Sequence, residues 1–348
     1  MTSLPGDTPT IPDAKFPQFD VASDVSDHHF AGRNPKASSS NSAVYKKIMQ
    51  EWKVLSKDLP ETIFVRAYET RVDLIRAAIV GARGTPYHDG LFFFDIAFPS
   101  DYPAKPPLVH YRSLGLRINP NLYSSGKVCL SLLNTWTGKK SEKWDPKNST
   151  ILQILLSIQA LVLNEKPYFN EPGYSAWSGR TYWQKKSLAY NEDVFVLNCK
   201  IILFVLRNPP KNFEPLVNQH FKEHAEFLLG ACDAYRKGCM KVGSFEGDPN
   251  RVKPEQVSFK FRSLMNHIYG DLVVAMSKTG APVEHFVEQV REEKEKKAKE
   301  KVDVAAKKKK GGVNVSEVGK NLVKKLKNIG FLGLIVKDKN VKSKEVSV

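Results

Sequence analysis

Between Ile63 and Tyr111 the chain reads as four short apolar runs cut by turn residues: 63–65, 74–80, 91–98 and 108–111. The turn Gly81-Ala-Arg-Gly-Thr-Pro86, with Gly90, separates the second run from the third. Pro99, Pro103, Pro106 and Pro107 crowd between the third and the fourth. Glycine supplies turn conformations that other residues resist, and proline fixes φ and removes a donor, so such clusters mark strand ends. Just upstream, Val44, Ile48, Trp52 and Leu55 recur at helical spacing until Pro60. A helix followed by an antiparallel meander predicts an α+β domain.

Helices are expected after the meander. Thr150-Ile-Leu-Gln153 fits a capping box, with Thr150 as N-cap. The helix it opens, to about Leu163, is apolar nearly all round and should be buried. Further helices fit 182–207, 212–237 and 257–277, and a Glu/Lys-rich helix or charged coil fits 283–301.

The ends of the chain differ in composition. Residues 1–42 are rich in Pro, Ser and Asp and include the linker-like Ala37-Ser-Ser-Ser-Asn-Ser42, so they are expected to form a disordered tail, although Phe16, Phe19 and Phe30 could dock. No apolar run there is long enough for a signal peptide. The formal net charge is +16, and about +11 of it lies from Lys294 onward. Domain boundaries are therefore expected at 1–42 for the tail, 43–240 for the folded core and 241–348 for a basic extension, partly helical or disordered. A hydrophobic fraction of 41% suffices for a core, and four cysteines exclude a disulfide-stapled scaffold.

The chemistry concentrates in Ile118-Asn-Pro-Asn-Leu-Tyr-Ser-Ser-Gly-Lys-Val-Cys-Leu-Ser-Leu-Leu133, with Tyr87-His-Asp-Gly90, Phe98-Pro-Ser-Asp-Tyr-Pro-Ala-Lys-Pro-Pro107 and Trp144-Asp-Pro146 around it. Taken in this order, these stretches resemble the core of a ubiquitin-conjugating enzyme (E2). The family's motif asparagine precedes its active cysteine by eight residues, as Asn121 precedes Cys129. The resemblance implies the UBC fold: an N-terminal helix, a four-stranded antiparallel meander, a crossover helix and C-terminal helices. Asn119, the insertion Trp136-Thr-Gly-Lys-Lys-Ser-Glu142 and Pro167-Tyr-Phe-Asn-Glu-Pro-Gly173 are most similar to the large members. Those include hybrids with ligase character and plant enzymes tied to phosphate homeostasis.

By this resemblance, Cys129 takes ubiquitin as a thioester from an activating enzyme (E1) and passes it to a substrate lysine, with or without an E3 ligase. Sulfur suits this because it attacks well and leaves easily. Asn121 braces the loop, stabilises the oxyanion of the tetrahedral intermediate, or both. Asn119 stands where the family has histidine, and an asparagine can brace a turn through similar bonds. Tyr123 matches a platform tyrosine of the SUMO-conjugating branch; plain packing is the alternative. The acidic-gate position falls on Asn170 or Glu171. Glu171 is chemically the better acceptor for an ammonium group, or else a solvated loop charge. No cofactor is implied: ubiquitin is a co-substrate, and ATP is used by the E1 alone.

Other features point elsewhere. His220 and His224, at i and i+4, could join Cys232 and Cys239 in a metal site, but a Cys-x₂-Cys knuckle is missing and no metal is expected. Ala104 and Lys147 replace apolar ligase-contacting residues of small family members, which predicts weak engagement by common RING ligases. Lys307–Lys310 reads as a nuclear-import signal or a charged linker, giving a cytoplasmic or nuclear location. Residues 316–336 read as a basic amphipathic helix for a membrane surface or acidic partner. Two rival readings keep the fold: conjugation of another ubiquitin-like modifier, or a non-catalytic scaffold whose basic tail holds membrane or nucleic acid.

Overall fold

The computed structural model describes residues 15–33, 42–248 and 257–310. By its internal contacts the chain divides after Glu288 into one compact unit and a second that begins at Gln289. The first unit is a sheet with helices. Strands β1 (Phe19–Ala22), β2 (Ile63–Tyr68), β3 (Leu74–Val80), β4 (Leu91–Ala97) and β5 (Leu108–Tyr111) lie in that order across the sheet. The β2–β5 portion is the expected antiparallel meander. Helices α1 (Ala43–Asp58), α2 (Ile151–Ser157), α3 (Thr181–Arg207), α4 (Glu214–Lys237), α5 (Phe259–Ser277) and α6 (Glu284–Lys310) complete the described elements. No helix among the described residues is long and apolar enough to cross a membrane.

The capping box at α2 forms as predicted: Gln153 N–H donates to Thr150 Oγ1, and Thr150 N–H donates to Gln153 Oε1. A second device fixes the same helix end. Glu51 of α1 is 1% exposed. It accepts from Ile151 N–H at 3.0 Å and from the Tyr102 hydroxyl at 2.8 Å. A carboxylate at a helix N-terminus satisfies an orphan N–H and opposes the dipole, so Glu51 ties α1, α2 and the proline loop together.

The expected tail at 1–42 needs correction over residues 15–33. Strand β1 adds to the free edge of β2 in parallel, making a fifth strand. Phe16 packs on Phe64 and Phe213, and Phe30 packs against the buried Tyr68–Leu74 cluster. The physical reason is that the outer sheet face carries charge that needs partners. Arg66, Arg76 and Asp95 lie side by side in register on β2, β3 and β4. Arg76 pairs with Asp95 at 2.5 Å and with Asp27 at 2.7 Å. His29 N–H donates to Asp95, and Arg66 donates to the Pro17 carbonyl. The segment brings hydrogen-bonding partners to groups that the meander alone leaves incomplete. Strand β2 also runs on to Tyr68, past the predicted end at Val65, because Arg66 stacks under Phe16 rather than leaving the sheet.

The boundary at 240 also shifts. Helix α5 buries Phe261, Met265, Ile268, Leu272 and Met276, and Phe245 is buried as well. The contact-based division accordingly falls after Glu288. Helix α6 is regular from Glu284 to Lys310, where a helix or charged coil was expected. The predicted amphipathic helix at 316–336 lies outside the described residues.

The histidines of α4 hold no metal-like cluster among the described residues. They anchor the helix to the 81–90 turn. His220 bonds the Asp89 carbonyl, and His224 and His88 bond the Asp89 carboxylate at 2.7 Å each. Burial raises the Asp89 pKa, but the hydrogen bonds from His224 and His88 outweigh it and leave the carboxyl well below its usual range. Cys199 and Cys232 are buried, and burial pushes the Cys232 thiol well above its ordinary pKa.

Two outcomes test this packing. Asp95→Asn leaves the buried Arg76 with Asp27 as its remaining carboxylate partner and should lower the unfolding free energy by about 1.5–3 kcal/mol, read from urea midpoints. Burial, with the His224 charge nearby, pushes His220 down to about 4 from 6.5. Below pH 6.5 the unfolded chain therefore binds a proton that the folded chain refuses. Stability should fall through this window with a slope of up to about 1.4 kcal/mol per pH unit from this group. His220→Gln should flatten the difference between unfolding curves at neutral and mildly acidic pH.

Candidate active site

Residues 117–135 contain no regular strand or α-helix and are held by side chains. Two backbone bridges, Asn119 to Leu122 and Leu122 to Val128, close a small loop. Its tip, Tyr123-Ser-Ser-Gly126, is a tight turn in which Gly126 adopts φ +84° and its N–H donates to the Tyr123 carbonyl at 2.9 Å. A Cβ at Gly126 would sit 2.0 Å from the His110 ring, so both the conformation and the space require glycine.

Asn119 is the buried centre of this loop, at 0% exposure. Its Nδ2 donates to the Tyr87 hydroxyl and to the Val162 carbonyl, each at 2.7 Å. Its Oδ1 accepts from the Asn121 N–H at 2.9 Å and from Asn170 Nδ2 at 3.4 Å. The brace expected of a residue here is therefore present. The Val162 carbonyl is available because α2 ends in a π turn over Ile158–Val162, where helix carbonyls lose their ordinary partners.

Asn121 and Cys129 face each other across the loop. Asn121 Nδ2 donates to the Cys129 carbonyl at 2.9 Å, and Cys129 N–H donates to the Asn121 carbonyl at 2.9 Å. Thr135 fastens the far side: its hydroxyl donates to the Val128 carbonyl at 2.7 Å and accepts from Leu130 N–H at 3.0 Å. Both neighbours of Cys129 are thus held in place.

Cys129 is 2% exposed, and burial raises its thiol pKa above the ordinary value of 9.0. The charges of Lys127 and Arg117, and a hydrogen bond from Tyr123, act in the opposite direction. Tyr123 also lies beside both cations. Its ring lies 4.5 Å under the Arg117 guanidinium, and Lys127 Nζ is 5.8 Å from its centroid.

The two gate candidates separate. Asn170 ends a 3₁₀ turn and is occupied structurally: Nδ2 donates to Val162 at 3.1 Å and Oδ1 accepts from Asn164 at 2.7 Å. Glu171 is half-exposed and stands 4.0 Å from Arg117. Cys129, Tyr123, Arg117 and Glu171 thus form a continuous row. Sequence reasoning missed Arg117, Lys127 and Tyr87. Lys127 carried a legible signal, two residues before the cysteine; Arg117 and the Tyr87 hydroxyl carried none, since only folding brings them here.

Comparison with known proteins gives the family. Residues 47–196 match the model of the family described as ubiquitin-conjugating enzyme. The chain is 50% identical over 275 residues to ubiquitin-conjugating enzyme E2 23 of Arabidopsis thaliana, covering 78% of this chain and 25% of that one. It is 52% identical over 257 residues to E2 39 of the same plant, covering 71% of this chain and 78% of that one. It is 38% identical over 238 residues to the mouse dual E2 ubiquitin-conjugating enzyme/E3 ubiquitin-protein ligase BIRC6, covering 64% of this chain and 5% of that one. The chain spans a quarter of the length of E2 23.

The electrostatics around the cysteine predict its reactivity. Arg117→Ala and Lys127→Ala should each raise the Cys129 pKa further, because each removes a cation that favours the thiolate. Iodoacetamide alkylation of Cys129 at neutral pH, followed by peptide mass mapping, should slow by roughly 2- to 5-fold in each variant.

Proposed function

Because this chain belongs to the ubiquitin-conjugating enzyme family, we propose that it accepts ubiquitin from an E1 as a thioester on Cys129 and transfers it to a protein lysine. The observation that carries this reading is the reciprocal pair of hydrogen bonds between Asn121 and Cys129, each at 2.9 Å, which holds the one cysteine of the loop in a fixed position.

In the first step the Cys129 thiolate attacks the carbonyl carbon of the ubiquitin–E1 thioester, and the E1 thiolate leaves. Lys127 and Arg117 favour the thiolate that attacks. In the second step a neutral lysine amine attacks the new thioester, its nitrogen gives up one further proton to water, an amide forms, and the Cys129 thiolate leaves. The amine arrives as an ammonium ion and must lose a proton. Glu171 accepts a hydrogen bond from it and orients it, while Tyr123 forms the apolar side of the approach. Asn170 takes the supporting role, holding the turn that carries Glu171. Asn121 holds the cysteine backbone through Nδ2, and the second hydrogen of that amide is the donor for the oxyanion in this reading.

The partners are therefore ubiquitin, an E1 and a protein acceptor, with or without an E3. Ala104 and Lys147 are both exposed and present little apolar area, which supports weak engagement by common RING ligases and a greater share of acceptor selection by the chain itself. That autonomy is the character in the printed name of BIRC6. A tie to phosphate homeostasis rests on the sequence resemblance alone. A cytoplasmic or nuclear location rests on Lys307–Lys310, and a role for the basic tail at a membrane or acidic surface rests on composition.

Incubation with E1, ATP and ubiquitin should yield an adduct that thiols cleave, absent in Cys129→Ala and thiol-resistant in Cys129→Ser. No adduct with ubiquitin or with a SUMO-type modifier run in parallel would overturn the reading in favour of a scaffold. Asn121→Ala should still charge but discharge roughly 10²–10³-fold more slowly. Glu171→Gln should lower the discharge rate onto free lysine at neutral pH and recover part of it as pH rises toward the amine's own pKa.

A further inference from the structure

Aromatic rings gather just downstream of Glu171 and lie partly in solvent. Tyr168 meets Tyr174 at a centroid distance of 5.1 Å and Tyr190 at 5.8 Å. Trp183 meets Trp177 at 6.2 Å and Tyr182 at 5.7 Å. Trp177 remains 39% exposed and Tyr182 63%. Large rings left in water as a contiguous patch cost hydration free energy and mark a surface meant to be covered.

Between its acidic borders at Glu171 and Glu192-Asp193 the charge on this stretch has one sign. From Pro172 to Asn191 the sequence contains no Asp or Glu, while Arg180, Lys185 and Lys186 are cationic. The Arg180 guanidinium lies 4.5 Å from the Trp177 centroid, and Lys186 Nζ lies 5.6 Å from that of Tyr182. Cations already ordered on rings can pair with incoming carboxylates at little further entropic cost. The patch adjoins the site: Tyr168 lies in the 3₁₀ turn Pro167–Asn170 that leads into Glu171, Glu171 stands 4.0 Å from Arg117, and Arg117 covers Tyr123.

We propose that this aromatic, cationic surface is an exosite that holds an acidic, aromatic-bearing segment of the protein acceptor while its lysine reacts at Cys129. The proposal rests on the reading of Cys129 as the thioester-forming residue. The chain's own residues 311–348 are unsuited to the patch, since they carry eight Lys against three acidic residues. A single-stranded nucleic acid is disfavoured because three cations in this stretch are too few to track a phosphate backbone. Exposed Trp and Tyr flanked by Arg are the side chains that most often anchor protein partners.

The test uses the full chain and two fluorescein-labelled peptides of equal length. Each has one lysine, one surrounded by Glu and Phe and the other by Arg and Phe; a labelled uridine oligomer is the third probe. Fluorescence anisotropy on the uncharged protein should show the acidic peptide binding roughly tenfold tighter than the basic one. The double variant Trp177→Ala/Tyr182→Ala should lose most of that affinity, and Lys185→Glu/Lys186→Glu should reverse the preference. In single-turnover discharge from charged protein, both variants should lose the acidic peptide's rate advantage while discharge onto free lysine stays at the parental rate. Equal binding of the two peptides, an unaltered Trp177→Ala/Tyr182→Ala variant, or tighter binding of the uridine oligomer would each overturn the proposal. A retained peptide preference in a protein that cannot be charged would support the surface and overturn the Cys129 reading instead.

Discussion

The loop that carries Cys129 depends on one buried amide. Every hydrogen-bonding position of the Asn119 side chain is taken: two donations, to Tyr87 and Val162, and two acceptances, from Asn121 and Asn170. An amide can make about four such bonds, so nothing is left over for solvent or substrate. Tyr87 comes from the turn before β4, Val162 from the end of the α2 helix, and Asn170 from the turn that presents Glu171. One side chain therefore sets the distance between the cysteine loop and the two segments that flank it. The irregular backbone around Cys129 is a consequence. It needs no ladder, because side-chain bonds from Asn119, Asn121 and Thr135 replace one.

A second constraint acts on the far side of the molecule. The outer face of the sheet carries Arg66, Arg76, Asp95 and His110 in register. Buried charges need close partners. The segment from Phe16 to Arg33 supplies them, through Asp27 and backbone groups, and brings three phenylalanines that become half-buried with it. Strand β1 then follows at little further cost, because β2 already offers an unpaired edge. This covering makes the sheet two-faced in burial, which explains why β2, β3 and β4 read as nearly unbroken apolar runs.

Reactivity at Cys129 is a balance between burial and charge. Burial alone gives a protonated thiol; Lys127, Arg117 and Tyr123 favour the thiolate from one side of the site. The same Arg117 joins Glu171, so the groups that tune the Cys129 thiol and the carboxylate proposed to meet the amine are mechanically connected. A cation at that junction also disfavours acceptors rich in positive charge, in keeping with the acidic segment proposed for the adjoining aromatic surface.

Local signals were sufficient for the meander, for helices α1 to α5 within a few residues, and for the register of Asn121 with Cys129. Apolar periodicity, capping residues and prolines are short-range properties, and each carries its physical meaning in the sequence. The resemblance singled out Tyr123 and offered Asn170 or Glu171 for the gate position. It could not choose between them, because the choice depends on whether Asn170 faces Asn119, 51 positions away. The same holds for the segment at 15–33, whose polar composition reads as solvated until the charges of β3 and β4 are seen to need it, and for α5, whose apolar face has meaning only once α3 and α4 lie beside it. Periodicity and motif spacing are written along the chain. The partners of buried polar groups are written across it, and only the tertiary structure brings them together.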